Sequence, residues 1–197
     1  MNFLAHLYLS GNDPDVATGN FIGDFVKGKQ HYQHLPEKVI AGIELHRIID
    51  AFTDSHPVVS DSKKRLWPKY RHYSGVIVDI YYDHFLARNW NDYHQELLPD
   101  YADKCYQILQ SRTYDLPESV RFLLPHIIRG NWLVNYAKVE GIQRALSGMA
   151  RRTTFVSKME ESVKDLEEFY EDFKGEFQVF FPELIEEARK FRVSKGL

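Results

Sequence analysis

Apolar residues recur along this chain at helical spacing and almost nowhere in strict alternation. VIAGIELHRIIDAF, GVIVDIYYDHFLARNW, YADKCYQILQ, VRFLLPHIIRGNWLVNYA and MEESVKDLEEFYEDFKGEF all carry that period. Proline punctuates them. Asp13-Pro14, Leu35-Pro36-Glu37, His56-Pro57, Leu98-Pro99-Asp100 and Leu116-Pro117-Glu118 each precede an apolar helical pattern, where a fixed φ and a missing N–H are tolerated. Residues 158 to 177 place Val163, Leu166, Phe169, Tyr170 and Phe173 among many Asp and Glu, which predicts an amphipathic helix with an acidic outer face. No hairpin, repeat, low-complexity tract or linker interrupts the series. The pattern predicts an all-α fold, with residues 1–197 as a single globular domain of about eight to ten helices ending in that C-terminal amphipathic helix.

Length and composition narrow the class. A chain of 197 residues can bury one core without staples, and its one cysteine, Cys105, cannot form an internal disulfide. A cytoplasmic location is expected. The start, MNFLAHLYLSGND, has no basic leader, and no segment approaches the ~18 uninterrupted apolar residues of a membrane span. A net charge of −3 lacks the concentrated basic face that nucleic-acid binding needs. Neither a nucleic-acid nor a membrane partner is expected.

Ionisable residues interrupt two of the apolar faces. On the first, Val39, Ile43, His46, Asp50 and Asp54 form one stripe flanked by Leu45, Ile48, Ile49 and Phe52. A carboxylate beside a core needs a cation or tight hydrogen bonding, and His46 and Asp50, one turn apart, converge on one point while Arg47 points sideways. On the second, Asp79 and Asp83 share a face of a helix that is apolar nearly all round, with Val76, Ile80, Ala87 and Trp90. Two like charges at that spacing stay ionised only beside a metal, Arg or Lys; a structural ion pair is the alternative. His84 follows as ligand, proton donor or supporting partner. NFLAH places Asn2 and His6 one turn apart, and GNFIGDF sets Asp24 among apolar residues after two glycines. Taken alone, His6 also reads as a hydrogen-bonded core histidine, Asp24 as a turn or cap, and Asp54 as a helix-end residue. Together the His and Asp residues of the first 84 positions favour a divalent cation with oxygen and nitrogen ligands, Mn or Mg before Fe or Zn. No CxxC pair, phosphate-cradling GxxxxGK[ST], GxGxxG or nucleophile elbow points to another chemistry.

NFLAH, GNFIGDFVKG, GIELHRIIDAFTDSHP, DIYYDHFLARNW and GMARR, in this order from residue 1 to about residue 152, resemble the acyl carrier protein phosphodiesterase family. That family is regarded as a divergent relative of the HD-domain phosphohydrolases, which implies an HD-like helical core. This chain contains no contiguous His-Asp dipeptide, so its ligands are read from helical faces instead. The resemblance implies metal-dependent hydrolysis, aided by Mn, of the phosphodiester joining 4′-phosphopantetheine to a serine of holo-acyl carrier protein. Asp24, His46, Asp50, Asp79 and Asp83 are then the expected metal ligands, Arg47 a phosphate clamp, and His6 or His84 the proton donor to the leaving serine. An acidic carrier protein needs basic docking residues; Lys63, Lys64, Arg65, Lys69 and Arg71 form one cluster and Arg151 and Arg152 another. Rival readings keep the metal but change the substrate to a nucleotide or other small phosphodiester, or make the chain a non-catalytic carrier-protein-binding module.

Overall fold

The computed structural model describes residues 1–113 and 116–197, and among these it contains eleven α-helices, short 3-10 turns and no strand. The helices are α1 (Phe3–Leu9), α2 (Pro14–Ile22), α3 (Glu37–Ser55), α4 (Pro57–Tyr70), α5 (Ser74–Arg88), α6 (Leu98–Ser111), α7 (Glu118–Arg129), α8 (Trp132–Asn135), α9 (Val139–Ala150), α10 (Val163–Glu168) and α11 (Tyr170–Ser194). The proline signals mark the starts of α2, α3, α4, α6 and α7. His56 takes an extended ψ of 129° before Pro57, so α3 stops there and α4 begins on a new axis. The acidic segment predicted as one helix divides at Phe169. Its second part, α11, continues to Ser194 and buries Phe173, Phe177, Phe180, Phe181 and Leu184.

Helix α5 runs through the centre of the core, as its nearly uniform apolar surface requires. Tyr81, Tyr82 and Phe85 are fully buried and meet α11 edge-on or tilted, with Tyr81–Phe173 centroids 5.0 Å apart and Tyr82–Phe177 centroids 5.6 Å apart. Across α5 lies α1, a helix too short to hold itself together. Asp83 holds it. This carboxylate, with no exposed surface, accepts the backbone N–H groups of Asn2 at 3.1 Å, Leu4 at 2.8 Å and Ala5 at 3.4 Å, so α5 caps α1 from another part of the chain.

The second positioning contact is the crossing of α2 and α3. A Cβ on Gly19 would overlap the Val39 carbonyl, and one on Gly42 the Val16 carbonyl, so only paired glycines let these backbones touch. That closeness sets Asn20 against His46.

Candidate metal centre

Two histidines from different helices meet over one asparagine. His6 of α1 and His46 of α3 stack with centroids 4.0 Å apart and planes 17° apart, both almost fully buried. His6 Nδ1 lies 2.8 Å from Asn20 Oδ1, and His46 Nδ1 lies 2.7 Å from the Asn20 backbone oxygen. The amide of Asn20 cannot turn round, because its Nδ2 donates to the His6 carbonyl at 2.7 Å and to Ser10 Oγ at 2.9 Å. Both partners of the imidazoles are therefore acceptors, so each Nδ1 carries the proton and each Nε2 points at Asp50.

Asp50 receives them with separate oxygens: His6 Nε2 is 3.3 Å from Oδ1 and His46 Nε2 is 3.1 Å from Oδ2. Asp24 Oδ1 stands 3.3 Å from the same His46 nitrogen. His6 Nε2 has no hydrogen-bond partner, so a bare lone pair faces a carboxylate inside the protein, an arrangement that repels unless a cation joins it. Donors bound at roughly 2.0–2.2 Å to one ion stand about 3.0–3.5 Å apart when adjacent, which is the separation found here. The three donors of His6, His46 and Asp50 all fall within 4.8 Å of one another. Two imidazoles and a carboxylate, with Asp24 alongside, fit a divalent cation.

Burial lowers the pKa of His6, and the neighbouring His46 charge lowers it further. Burial also acts against the charge on His46, but the Asp24 and Asp50 carboxylates prevail and raise its pKa to about 9. Burial acts against the charge on Asp50 as well, but the hydrogen bond from His46 and the nearby Met1 α-amino charge hold its carboxyl far below the ordinary carboxylate range. In the metal-free protein a proton on His46 therefore takes the place of the ion.

The other residues singled out in the sequence divide between this site and elsewhere. Asp24, Asp50 and Asp79 line one cavity of about 240 Å³ with Asn2, Thr53 and Met149. Asp79 Oδ1 lies 2.9 Å from the Met1 α-amino nitrogen, which lies 3.9 Å from Asp50 Oδ1. Asp83 is not in the histidine cluster, because the α1 backbone occupies it. His84 bridges the Tyr136 carbonyl at 2.7 Å and the Tyr170 hydroxyl at 3.3 Å, tying α5 to the chain after α8 and to α11. Arg47 points away, donating to the Tyr32 hydroxyl at 2.6 Å and stacking on that ring. Asp54 pairs with Lys63 at 2.7 Å.

Among the predicted docking residues, Lys63 pairs with Asp54, Lys64 with Asp61, Arg65 with Glu176 and Lys69 with Asp165. Their charge is largely matched within the protein. Arg71 sits at a φ of 51° and, like Arg151 and Arg152, has no acidic partner within 4.0 Å among the described residues.

Asn20 was not among the residues singled out, although a buried asparagine between Gly19 and Gly23 demands polar partners. Gly23 leaves the room the ring needs, since a Cβ there would strike His46. Asn20→Leu keeps the backbone acceptor of His46 but removes that of His6, and should weaken divalent-cation binding roughly 10- to 100-fold. Calorimetric titration of the folded variant checks this; affinity within about twofold of wild type would deny Asn20 the role.

The family model described as acyl carrier protein phosphodiesterase matches residues 1–184. Proteins named acyl carrier protein phosphodiesterase are similar over nearly the whole chain. That of Photorhabdus laumondii is 36% identical over 193 residues, covering 95% of each chain. Those of Escherichia coli O6:H1 and Yersinia pestis are 33% identical over 195 residues and 31% identical over 190, each covering 96% of this chain and 98% of the relative. No solved structure matches.

Proposed function

Because the chain belongs to the acyl carrier protein phosphodiesterase family, we propose that it hydrolyses the phosphodiester between 4′-phosphopantetheine and the serine of holo-acyl carrier protein, with Mn held at His6, His46 and Asp50. The observation that carries the metal dependence is the bare Nε2 of His6 aimed at Asp50. A bound divalent cation supplies Lewis acidity to a phosphate oxygen and lowers the pKa of a water. Water adds to phosphorus, the bond from phosphorus to the serine oxygen breaks, and that oxygen ends protonated. The products are apo-carrier protein and 4′-phosphopantetheine.

The chain's own contribution is to hold and orient. Asn20 fixes the Nε2 lone pairs of both histidines, while Asp24 and Asp79 face the cavity where the diester would lie. Arg151 and Arg152 fit an acidic carrier protein better than residues 63 to 69, because they are exposed, without acidic partners among the described residues, and beside Phe155 and Val156, which are 76% and 87% exposed. A cytoplasmic reaction is part of the same proposal; no helix among the described residues is long and apolar enough to cross a membrane.

Incubation with holo-carrier protein should release apo-carrier protein and free 4′-phosphopantetheine in equal amounts, read by intact mass and chromatography. Hydrolysis of bis(p-nitrophenyl) phosphate with no effect on the carrier would move the activity to small diesters instead.

A further inference from the structure

A second cavity, of about 160 Å³, opens between α8 and α9. Trp132, Tyr136 and Met149 give it an apolar wall, and Arg144 and Arg152 stand at its edge. It adjoins the metal cavity: Met149 lines both, and the Tyr136 hydroxyl accepts a 3.0 Å hydrogen bond from Asn2 Nδ2, itself a wall of the first. Two observations make this cavity a candidate subsite. Gly148 lies within α9 and lines it, yet a Cβ there would meet nothing within 4 Å. Packing does not require glycine at this point, and a glycine inside a helix costs roughly 1 kcal/mol relative to alanine, so what the missing side chain provides is open space. The second observation is charge. Neither Arg144 nor Arg152 has an acidic group within 4.0 Å among the described residues, and Arg152 Nε folds back onto the Gly148 carbonyl at 3.2 Å, holding its guanidinium beside the opening.

We infer that the α8–α9 cavity is the subsite for the pantetheine side of the substrate, taking the branched apolar carbons next to the phosphate against Trp132 and Met149 while the two arginines face the phosphate oxygens. The assignment rests on the diesterase reading, which fixes the diester in the adjoining cavity. The volume suits that branched fragment and not the whole arm, whose thiol end would extend into solvent. The phosphorylated product should therefore bind on its own, held by apolar contact and by charge-assisted hydrogen bonds.

The test titrates the full chain, without added metal, with 4′-phosphopantetheine, pantetheine and inorganic phosphate. Wild type should bind 4′-phosphopantetheine at least roughly tenfold more tightly than either fragment. Gly148→Leu fills the opening with a better helix former, so the fold persists, and it should weaken binding roughly tenfold or more and raise KM for holo-carrier protein with a smaller change in kcat. Arg144→Gln, whose side chain is exposed and dispensable for folding, should weaken 4′-phosphopantetheine several-fold and leave pantetheine unaffected. Unchanged affinity and KM in both variants, or wild-type binding of 4′-phosphopantetheine no tighter than of inorganic phosphate, would overturn the subsite. Arm binding that responds to both variants in a chain that never converts holo-carrier protein would sink the diesterase reading and leave the subsite standing.

Discussion

Asp50→Ala is expected to lower Mn affinity by at least about two orders of magnitude and turnover of holo-carrier protein by about three. Among the described residues Asp50 is the one carboxylate that faces the Nε2 of both imidazoles, at 3.3 Å from His6 and 3.1 Å from His46, so its loss leaves two stacked nitrogen donors and the more exposed Asp24. The same geometry makes metal binding a proton exchange. With its pKa raised to about 9, His46 is charged at neutral pH before the ion enters, and close to one proton should leave per ion bound. Calorimetry in buffers of different ionisation enthalpy reads both quantities. Mn binding by Asp50→Ala within about threefold of wild type would remove Asp50 from the site.

The second large effect falls on stability. Asp83→Ala strips the backbone N–H groups of Asn2, Leu4 and Ala5, the last two buried, of their acceptor at once and should cost about 3–5 kcal/mol, at 1–3 kcal/mol for each unsatisfied group with partial relaxation. Because α1 carries His6, metal binding should fall with the fold. Asp83→Asn keeps one oxygen for the Leu4 N–H and should bind Mn nearly as wild type does, which a metal ligand would not tolerate. There is also a pH signature. Burial outweighs the hydrogen bonds from α1 and pushes the Asp83 carboxyl up to about 7. A folded pKa above the unfolded one means the folded state binds the proton more tightly, so this contribution is present in acid and is lost as pH rises from about 4 to about 7. Denaturant midpoints of wild type should decline relative to those of Asp83→Asn across that window; parallel curves would contradict the assignment.

These two aspartates show what a helical pattern can and cannot reveal. The stripe Val39, Ile43, His46, Asp50 placed two ionisable groups on one face of α3, and a face is what periodicity specifies. The all-α architecture was legible for the same reason, and the prolines gave the starts of α2, α3, α4, α6 and α7. What faces that stripe is a tertiary fact. Asp79 and Asp83 looked alike, two acids one turn apart on an apolar helix, yet Asp79 opens onto the cavity and Asp83 meets the end of α1. Nothing local to α5 distinguishes them. In the basic run from Lys63 to Lys69, the partners of Arg65 and Lys69, Glu176 and Asp165, lie about a hundred residues away in sequence, while Lys63 and Lys64 pair locally with Asp54 and Asp61. The sideways direction of Arg47 was legible, because adjacent helical positions point in different directions; that its side chain reaches Tyr32 is a tertiary fact. The role of Asn20 left one trace in the sequence, its position between the two glycines of GNFIGDF.

On the proposed function, the reaction requires a metal held by His6, His46 and Asp50. The most direct test incubates metal-stripped protein with holo-acyl carrier protein, with and without Mn, beside Asp50→Ala, and follows the intact mass of the carrier. The prediction is loss of the phosphopantetheine mass only for wild type with Mn. Equal loss in the presence of a chelator, or no loss when Mn is bound, would contradict it.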